Sequence, residues 1–348
     1  MKKVLISTFT MDVGGLENFL MNIVKNIDKE KFEIHFTLNQ LPKNKKNLDV
    51  LNRLGVKYHV IGNLKPNPIK FCENYSKVLD VYGPFDAVHI NLEQMGGIPA
   101  AIARKKGVNN RYVHAHTTNL NAFHNRILLP FYRYLINKNA TGLLACGDEA
   151  GKYIFGNDKK FHVIKNGLNI NEFLNDKNKV RSYRIAQVGR LSQEKNQMFS
   201  LDLISKLDKK YTLDFYGEGD FLDELKCYSD KIDVSNRVNF KGLATDVAKV
   251  YSKYDFIILP SLFEGVPFVL IEAQASGCHA FVSSNVSTES DLGLSLLTFL
   301  DLDVDDWVSE ISEYIITKPS MESITCAFEK NGYNIISTIK VLERLYEK

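Results

Sequence analysis

The chain has 348 residues, 45% of them hydrophobic and 24% charged, which is the balance of a globular protein and excludes a disordered or fibrous one. Five scattered cysteines (Cys72, Cys146, Cys227, Cys278, Cys326) form no C-x-x-C or Cys/His ligand spacing, so a disulfide scaffold and a zinc site are disfavoured and a reducing cytoplasm fits. Charge is uneven: residues 1–175 carry 24 Lys/Arg against 14 Asp/Glu, and residues 176–348 carry 20 against 27, which points the first half towards an anionic partner.

The length allows two domains. No apolar run approaches membrane-spanning length, and the short Val4-Leu5-Ile6 run is followed by Gly14-Gly15 and Glu17 without a cleavage pattern, so no leader is expected. Val4 to Ser7 reads as a first strand. Gly14-Gly15 then opens a helix with Leu16, Phe19, Leu20, Ile23, Val24 and Ile27 on one face. A glycine pair after a first strand lets backbone approach a phosphate, although a plain turn is the commoner reading and the pattern is not G-x-G-x-x-G. Strands follow at 32–38, 56–61, 87–90, 111–116, 141–146 and 161–164, with helices over 69–82 and 98–105 and a basic solvated loop over 42–47. The alternation predicts a doubly wound parallel sheet.

In the 111–116 strand, His114 and His116 point to one side. His114 reads as structural. His116 sits where the strand ends, at the sheet edge where ligands bind, and can donate to a hydroxyl or share a proton. Residues 123–138 mix Arg126, Arg133 and Lys138 with Phe123, Phe131, Tyr132, Tyr134 and aliphatic side chains. A core helix and a basic, aromatic-edged helix on an anionic membrane both fit, and Pro130 interrupts any single amphipathic face. No recognition helix, RNP or KH motif supports nucleic acid. Residues 175–182 read as the interdomain linker.

The second half opens with a strand over 184–189. Arg190 and Lys195 follow on a strand-to-helix loop, where two cations can clamp a diphosphate or lie solvated. Strands at 213–216 and 238–241 are followed by the Gly217-Glu218-Gly219 turn and by Gly242-Leu243. Phe256 to Leu259 is a buried strand. A loop leads to a helix from Pro267 to Ser276, stopped by Gly277. That helix is apolar nearly all round and therefore buried, yet Glu272 sits in its middle and Glu264 lies eight residues earlier. Two carboxylates thus bracket a helix N-terminus that attracts anions. The bland alternative makes Glu264 a helix cap and Glu272 half of a core salt bridge. Phe281 to Ser283 reads as the final strand, and Ser323 to Lys348 as helix.

Together these stretches resemble retaining family 4 glycosyltransferases of the GT-B fold. Residues 261–277, SLFEGVPFVLIEAQASG, are similar to their E-x7-E motif, and residues 188–196, VGRLSQEKN, to V-G-R-L-x-x-x-K-N at every fixed position. Gly14-Gly15-Leu16-Glu17 resembles their N-terminal G-G-x-E loop, and Asn166-Gly167-Leu168-Asn169 the stretch before their linker. Cys278-His279 departs from the usual Pro after Gly277, which bears on local loop shape only. Residues 282–307 resemble the branch that builds bacterial capsules and exopolysaccharides.

The resemblance implies an α/β GT-B protein: two facing Rossmann-like doubly wound domains with the active site between them. Residues 1–166 would bind acceptor, residues 167–322 nucleotide sugar, and the helix over 323–348 would cross back to the first domain. It implies transfer of a hexose or N-acetylhexosamine, with retention, from a UDP-sugar to a lipid-linked saccharide in cell-surface polysaccharide synthesis. By motif position, Glu264 meets the donor sugar, Glu272 the ribose, and Arg190 and Lys195 the diphosphate. The backbone at Gly265, Val266, Pro267 and Phe268 receives sugar and phosphates. Gly15 faces the phosphates, and Gly217 and Leu243 lie near the nucleoside. Glu17, His116 and Asn119 fall on the acceptor side, with His116 also among the catalytic candidates. Arg126, Phe131, Tyr132 and Arg133 are membrane-contact candidates. No cofactor and no metal are expected, and the protein is expected in the cytoplasm, peripheral on the inner face of the plasma membrane. Two rivals remain: a UDP-sugar 2-epimerase on the same fold, and a non-catalytic glycosyltransferase-like partner subunit.

Overall fold

The computed structural model describes residues 1–12, 14–117, 127–174, 182–244, 247–264 and 266–348. Residues 175–181 of the linker reading, and Asn119, Arg126 and Gly265 among the candidate site residues, lie outside the described residues. The chain divides into two compact units, Met1–Leu168 with Gly332–Lys348, and Asn169–Asn331.

The first unit runs β1 (Lys2–Thr8), α1 (Gly15–Asn26), β2 (Phe32–Leu38), α2 (Lys46–Arg53), β3 (Lys57–Val60), α3 (Pro68–Tyr82), β4 (Ala87–Asn91), α4 (Gly97–Lys105), β5 (Asn110–Ala115), α5 (Leu129–Asn139), β6 (Gly142–Ala145), α6 (Asp148–Phe155) and β7 (His162–Val163). Its parallel sheet has the order β3-β2-β1-β4-β5-β6-β7. Alternate residues of one strand feed opposite cores, as the two-residue period of a strand requires. Val4 and Ile6 pack with Phe36 and α1 on one face, and Leu5 packs with Val88, Ile90 and α3 on the other.

The second unit runs α7 (Ile170–Phe173), β8 (Arg184–Val188), α8 (Gln197–Lys206), β9 (Thr212–Tyr216), α9 (Leu222–Lys231), β10 (Val238–Phe240), α10 (Val247–Tyr251), β11 (Phe256–Leu259), α11 (Phe268–Ala275), β12 (His279–Ser283), β13 (Leu297–Leu300), α12 (Val304–Glu313) and α13 (Met321–Lys330). Its parallel sheet has the order β10-β9-β8-β11-β12-β13. The last helix, α14 (Ile335–Glu347), belongs to the first unit, where Ile335, Ile339, Leu342, Leu345 and Tyr346 join the core on the α1 face.

Several local expectations are corrected. The solvated loop read over 42–47 gives way to α2 from Lys46, anchored by only two buried side chains, Leu48 and Leu51. Pro130 sits in the first turn of α5, where its missing N–H costs nothing, and a turn at Leu128 separates that helix from the helical Ile127 before it. Pro267 is the N-cap of α11 in extended backbone (φ −72°, ψ 115°), not its first helical residue. The sheet does not end at Ser283: β13 pairs in parallel with β12 beyond it. The tail read as one helix is two, because Gly332 at φ +77° ends α13 and the Asn334 side chain caps α14 by accepting the Ile336 N–H at 2.9 Å. Residues 323–331 therefore stay with the second unit.

Candidate functional site

In each sheet the strand order reverses once, between β1 and β4 and between β8 and β11. The crevice outside the carboxyl ends at such a reversal is where open α/β sheets bind ligands.

In the second unit, Gly189–Asn196 leaves the end of β8 and Pro260–Pro267 leaves the end of β11, two strands that pair directly. The loops are bonded to each other. The Leu262 N–H donates to the Glu194 carbonyl at 2.9 Å, and the Asn196 side-chain amide donates to the Pro260 carbonyl at 3.0 Å. Asn196 adopts the left-handed region (φ 54°), which Asn tolerates best after glycine. From within the core, Gln187 Nε2 donates to the Lys195 carbonyl at 2.7 Å, and Ser200 Oγ holds Gln187 at 2.7 Å. The backbone of Lys195 is thus fixed on both sides.

The Lys195 ammonium forms an ion pair with Glu264, whose carboxylate also accepts Ser261 Oγ at 3.0 Å; the two charged side chains are only 20% and 16% exposed. Glu264 does not cap α11: its N-cap makes no side-chain bond and its first turn holds no acidic residue. Among the described residues, no side chain caps the positive end of α11. Among the described residues, Glu272 forms no salt bridge. It is 6% exposed and accepts Tyr251 Oη at 2.7 Å. Burial pushes its carboxyl up to about 7, with the Tyr251 bond pulling the other way. Arg190 is exposed, its carbonyl held by Gln197 Nε2 at 2.8 Å, and its guanidinium has no hydrogen-bond or ion-pair partner among the described residues.

Gly217 and Gly219 belong to the same construction. A Cβ at Gly217 would lie 1.8 Å from the Gly189 carbonyl oxygen, and one at Gly219 would lie 2.0 Å from that of Leu191. Their absence lets the turn after β9 bond to the Arg190 loop through Gly189 N–H to Tyr216 O at 2.9 Å and Leu191 N–H to Glu218 O at 3.1 Å. The Gly217 N–H continues the row to the Gly242 carbonyl at 2.9 Å, beside the 38% exposed Leu243. Val266 is exposed, Pro267 buried and Phe268 half-buried at the start of α11.

In the first unit, Gly14 caps α1 and Gly15 is exposed, with nothing within 4 Å of an added Cβ. Glu17 folds back over this turn, its carboxylate 2.4 Å from where a Gly14 Cβ would stand, and burial raises its pKa. Its side chain therefore serves its own helix N-terminus. His116 lies at the end of β5, its ring 4.0 Å from that of His114 and 5.8 Å from that of Phe19. Burial lowers His116 to about 3, so the imidazole is neutral. Its Nε2 lies 2.9 Å from Asn91 Oδ1, and its backbone N–H donates to Glu93 Oε2 at 3.1 Å. Glu93 also receives the Thr117 N–H, and burial raises it to about 7.

His114 is fully buried, and burial holds it well below its ordinary value. It continues a column: Tyr346 Oη lies 2.6 Å from His89 Nδ1, and His89 Nε2 lies 3.1 Å from His114 Nδ1. Asn91, Glu93, His89 and Tyr346 escaped the sequence reading. The signal that could have found the first two was their place at and just beyond the carboxyl end of β4, at the strand-order reversal.

One membrane-contact candidate, Tyr132, is corrected, and Arg133 is only half-buried. Tyr132 is 6% exposed and turns into the core. Arg133 is engaged by the carboxyl end of α6, where Nη2 donates to the Tyr153 carbonyl at 2.7 Å. Phe131 is 57% exposed, as is Tyr134. Among the described residues, no helix is long and apolar enough to cross a membrane.

Residues 13–172 match the family described as Glycosyltransferase Family 4, and residues 169–292 the family described as Glycosyl transferases group 1. The chain is 29% identical to EpsF of Bacillus subtilis (strain 168), which carries a glycosyltransferase name, across 99% of this chain and 96% of that one. It is 24% identical to the capsular polysaccharide biosynthesis glycosyltransferase CapH of Staphylococcus aureus, across 97% and 96%. It is 23% identical to the UDP-Gal:alpha-D-GlcNAc-diphosphoundecaprenol alpha-1,3-galactosyltransferase of Escherichia coli, across 75% of each. Anabaena HepE in complex with UDP and glucose superposes over the full length of both chains with a TM-score of 0.80 at 17% identity, a likeness of fold. Two sheets of one strand order, motif loops at their reversals and family matches that together span residues 13–292 place the chain among the family 4 glycosyltransferases of the GT-B fold, with relatives in capsular polysaccharide synthesis.

Proposed function

We propose that the chain moves a hexose or N-acetylhexosamine from a UDP-sugar to a lipid-linked saccharide, with retention and without a metal ion, in the synthesis of a cell-surface polysaccharide. The observation that carries this reading is the β8/β11 reversal, where Arg190, the Lys195–Glu264 pair and the uncapped start of α11 stand on mutually bonded loops. Arg190, Lys195 and the α11 amides offset the charge of a departing nucleoside diphosphate. Glu264 orients the donor sugar and Glu272 accepts from the ribose hydroxyls.

In this reading the acceptor oxygen bonds to the anomeric carbon on the face the nucleotide leaves. The carbon–oxygen bond to phosphate breaks, its electron pair departs with the diphosphate, and the leaving phosphate oxygen takes the acceptor's proton. No protein nucleophile is required. UDP is favoured because HepE binds it and the Escherichia coli relative is named for a UDP donor and a diphosphoundecaprenol-linked acceptor. The basic first half, with the exposed Phe131 and Tyr134 of α5, fits a protein peripheral on the inner face of the membrane, where such an acceptor lies. All four charged motif residues stand in place, which disfavours the epimerase and non-catalytic readings.

Thermal melting against UDP, GDP, ADP and their sugars tests the donor site. A ligand at a hundred times its dissociation constant adds about 2.7 kcal/mol. UDP-sugars should raise Tm in the wild type and fail to in Arg190→Ala and Glu272→Ala. A flat response across the panel by folded protein would transfer the reading to the non-catalytic partner. The anomeric configuration of the product, and activity in EDTA, decide retention and metal independence.

A further inference from the structure

Asn91 and Glu93 lie at the carboxyl end of β4, on the strand-order reversal of the first unit and across from His116 at the end of β5. The Asn91 amide has a defined orientation. Its Nδ2 donates to the His89 carbonyl at 3.4 Å, which turns Oδ1 to His116 Nε2 at 2.9 Å. An amide oxygen only accepts, so His116 Nε2 carries the proton. The lone pair is then on Nδ1, a buried atom that has no hydrogen-bond partner among the described residues.

Glu93 holds the backbone instead. Its carboxylate takes the N–H groups of His116 and Thr117, the two residues that turn the chain out of β5. Glu93 does so from a left-handed backbone (φ 51°), which a non-glycine residue keeps only where its surroundings impose it. The surroundings are visible. A Cβ at Gly96 would stand 2.8 Å from Val113 Cγ1, and one at Gly97 would stand 2.7 Å from the Ile136 nitrogen, so the turn after Glu93 is pressed against β5 and α5.

We propose that Asn91 and Glu93 are positioning residues for His116: Asn91 holds the ring in its Nε2–H form and Glu93 holds the 116–117 backbone, so that Nδ1 accepts a hydrogen bond from a sugar hydroxyl of the acceptor. The identity of that hydroxyl rests on the transferase reading; the tautomer and the held turn do not. His116 on this account is an acceptor of a proton in a hydrogen bond, not an imidazolium acid.

Nitrogen spectra of ring-labelled histidine, with His116 assigned from a His116→Gln sample, read the tautomer directly. Wild type and Asn91→Asp should show a protonated Nε2 and a bare Nδ1, and Asn91→Leu should show averaged nitrogens. Glu93→Gln should shift the His116 and Thr117 amide signals and leave the ring pattern unchanged. Transfer is read as UDP release from the donor chosen by melting, with lipid-linked saccharides extracted from bacterial membranes as acceptor. Asn91→Leu and Glu93→Gln should lose about 10–100-fold, the cost that removal of a hydrogen-bond partner has for an oriented metal-ligand histidine. Asn91→Asp should recover most of it. UDP stabilisation should be unchanged in all three, which separates this proposal from the donor-site reading. A bare Nε2 in the wild type, or full transfer by an Asn91→Leu protein whose tautomer is lost, overturns the proposal.

Discussion

Glu272 sets stability against function within one side chain. Its carboxyl stands near 7 in the fold against an ordinary value of 4.5, because it is buried with a phenol as its hydrogen-bond donor. Between those values the unfolded chain gives up a proton that the folded chain retains, so folding is increasingly disfavoured as pH rises through the window and the cost levels off above 7. Glu272→Gln keeps the Tyr251 bond without that cost. It should raise stability by about 1–3 kcal/mol at pH 8, with the gain fading towards pH 4.5, while nucleotide stabilisation is lost. Melting curves at the two pH values, with and without UDP, measure both effects. Gly15 and Gly217 differ in the same instructive way. Gly15→Ala meets open space and should leave Tm unchanged or slightly higher while weakening the nucleotide response. Gly217→Ala drives a Cβ into the Gly189 carbonyl at φ +146° and should cost about 3 kcal/mol or more by denaturant unfolding.

Helix α14 contributes more than an apolar face to the first unit. Tyr346 reaches the histidine column at His89, and Tyr112 Oη donates to the Leu345 carbonyl at 2.6 Å. Tyr346→Phe leaves a fully buried His89 nitrogen unpaired and should cost about 1–3 kcal/mol, read as a fall in urea midpoint. Helices with long apolar stripes, such as α1, were legible in sequence because the 3.6-residue period repeats. α2 and α6 were not, since each is eight residues long and buries few side chains. β13 was missed for a similar reason: its four residues are all only partly buried, at a sheet edge. The break between α13 and α14 is written in Asn331-Gly332, yet two helices with buried stripes of similar spacing on either side read as one.

For the whole chain, acid should be the weak side. Of eight histidines, His59 and His279 are lowered to about 4, His89 and His116 to about 3, and His35 and His114 are also lowered, burial being the leading cause in each. A depressed histidine contributes stability above its unfolded value of 6.5 and loses it as pH falls towards the folded one. Glu93 and Glu272 act oppositely over 4.5 to 7, and Glu17, also raised by burial, acts with them, but these are three groups against six. Unfolding below pH 6.5 therefore takes up protons, at about 1.4 kcal/mol per pH unit for each net proton. Tm should fall steeply from pH 6.5 to 4, and less steeply when His89 and His114 are replaced together by Gln. A Tm that is flat over that range would contradict the neutral, buried column.

The sequence by itself determined the alternation that makes two parallel sheets, and the loops that carry Arg190, Lys195, Glu264 and Glu272. These were legible because apolar strands, helix stops and charged motif residues are local patterns with fixed spacing. Tertiary structure alone decided that Glu264 pairs with Lys195 across 69 residues, that Glu272 answers to Tyr251, that Tyr132 faces inward and that Arg133 donates to the Tyr153 carbonyl. It also decided that Asn91 and Glu93 address His116. Such partners depend on which strands become neighbours when the strand order reverses, and on which side chains lose water there. Neither property resides in any short stretch of chain.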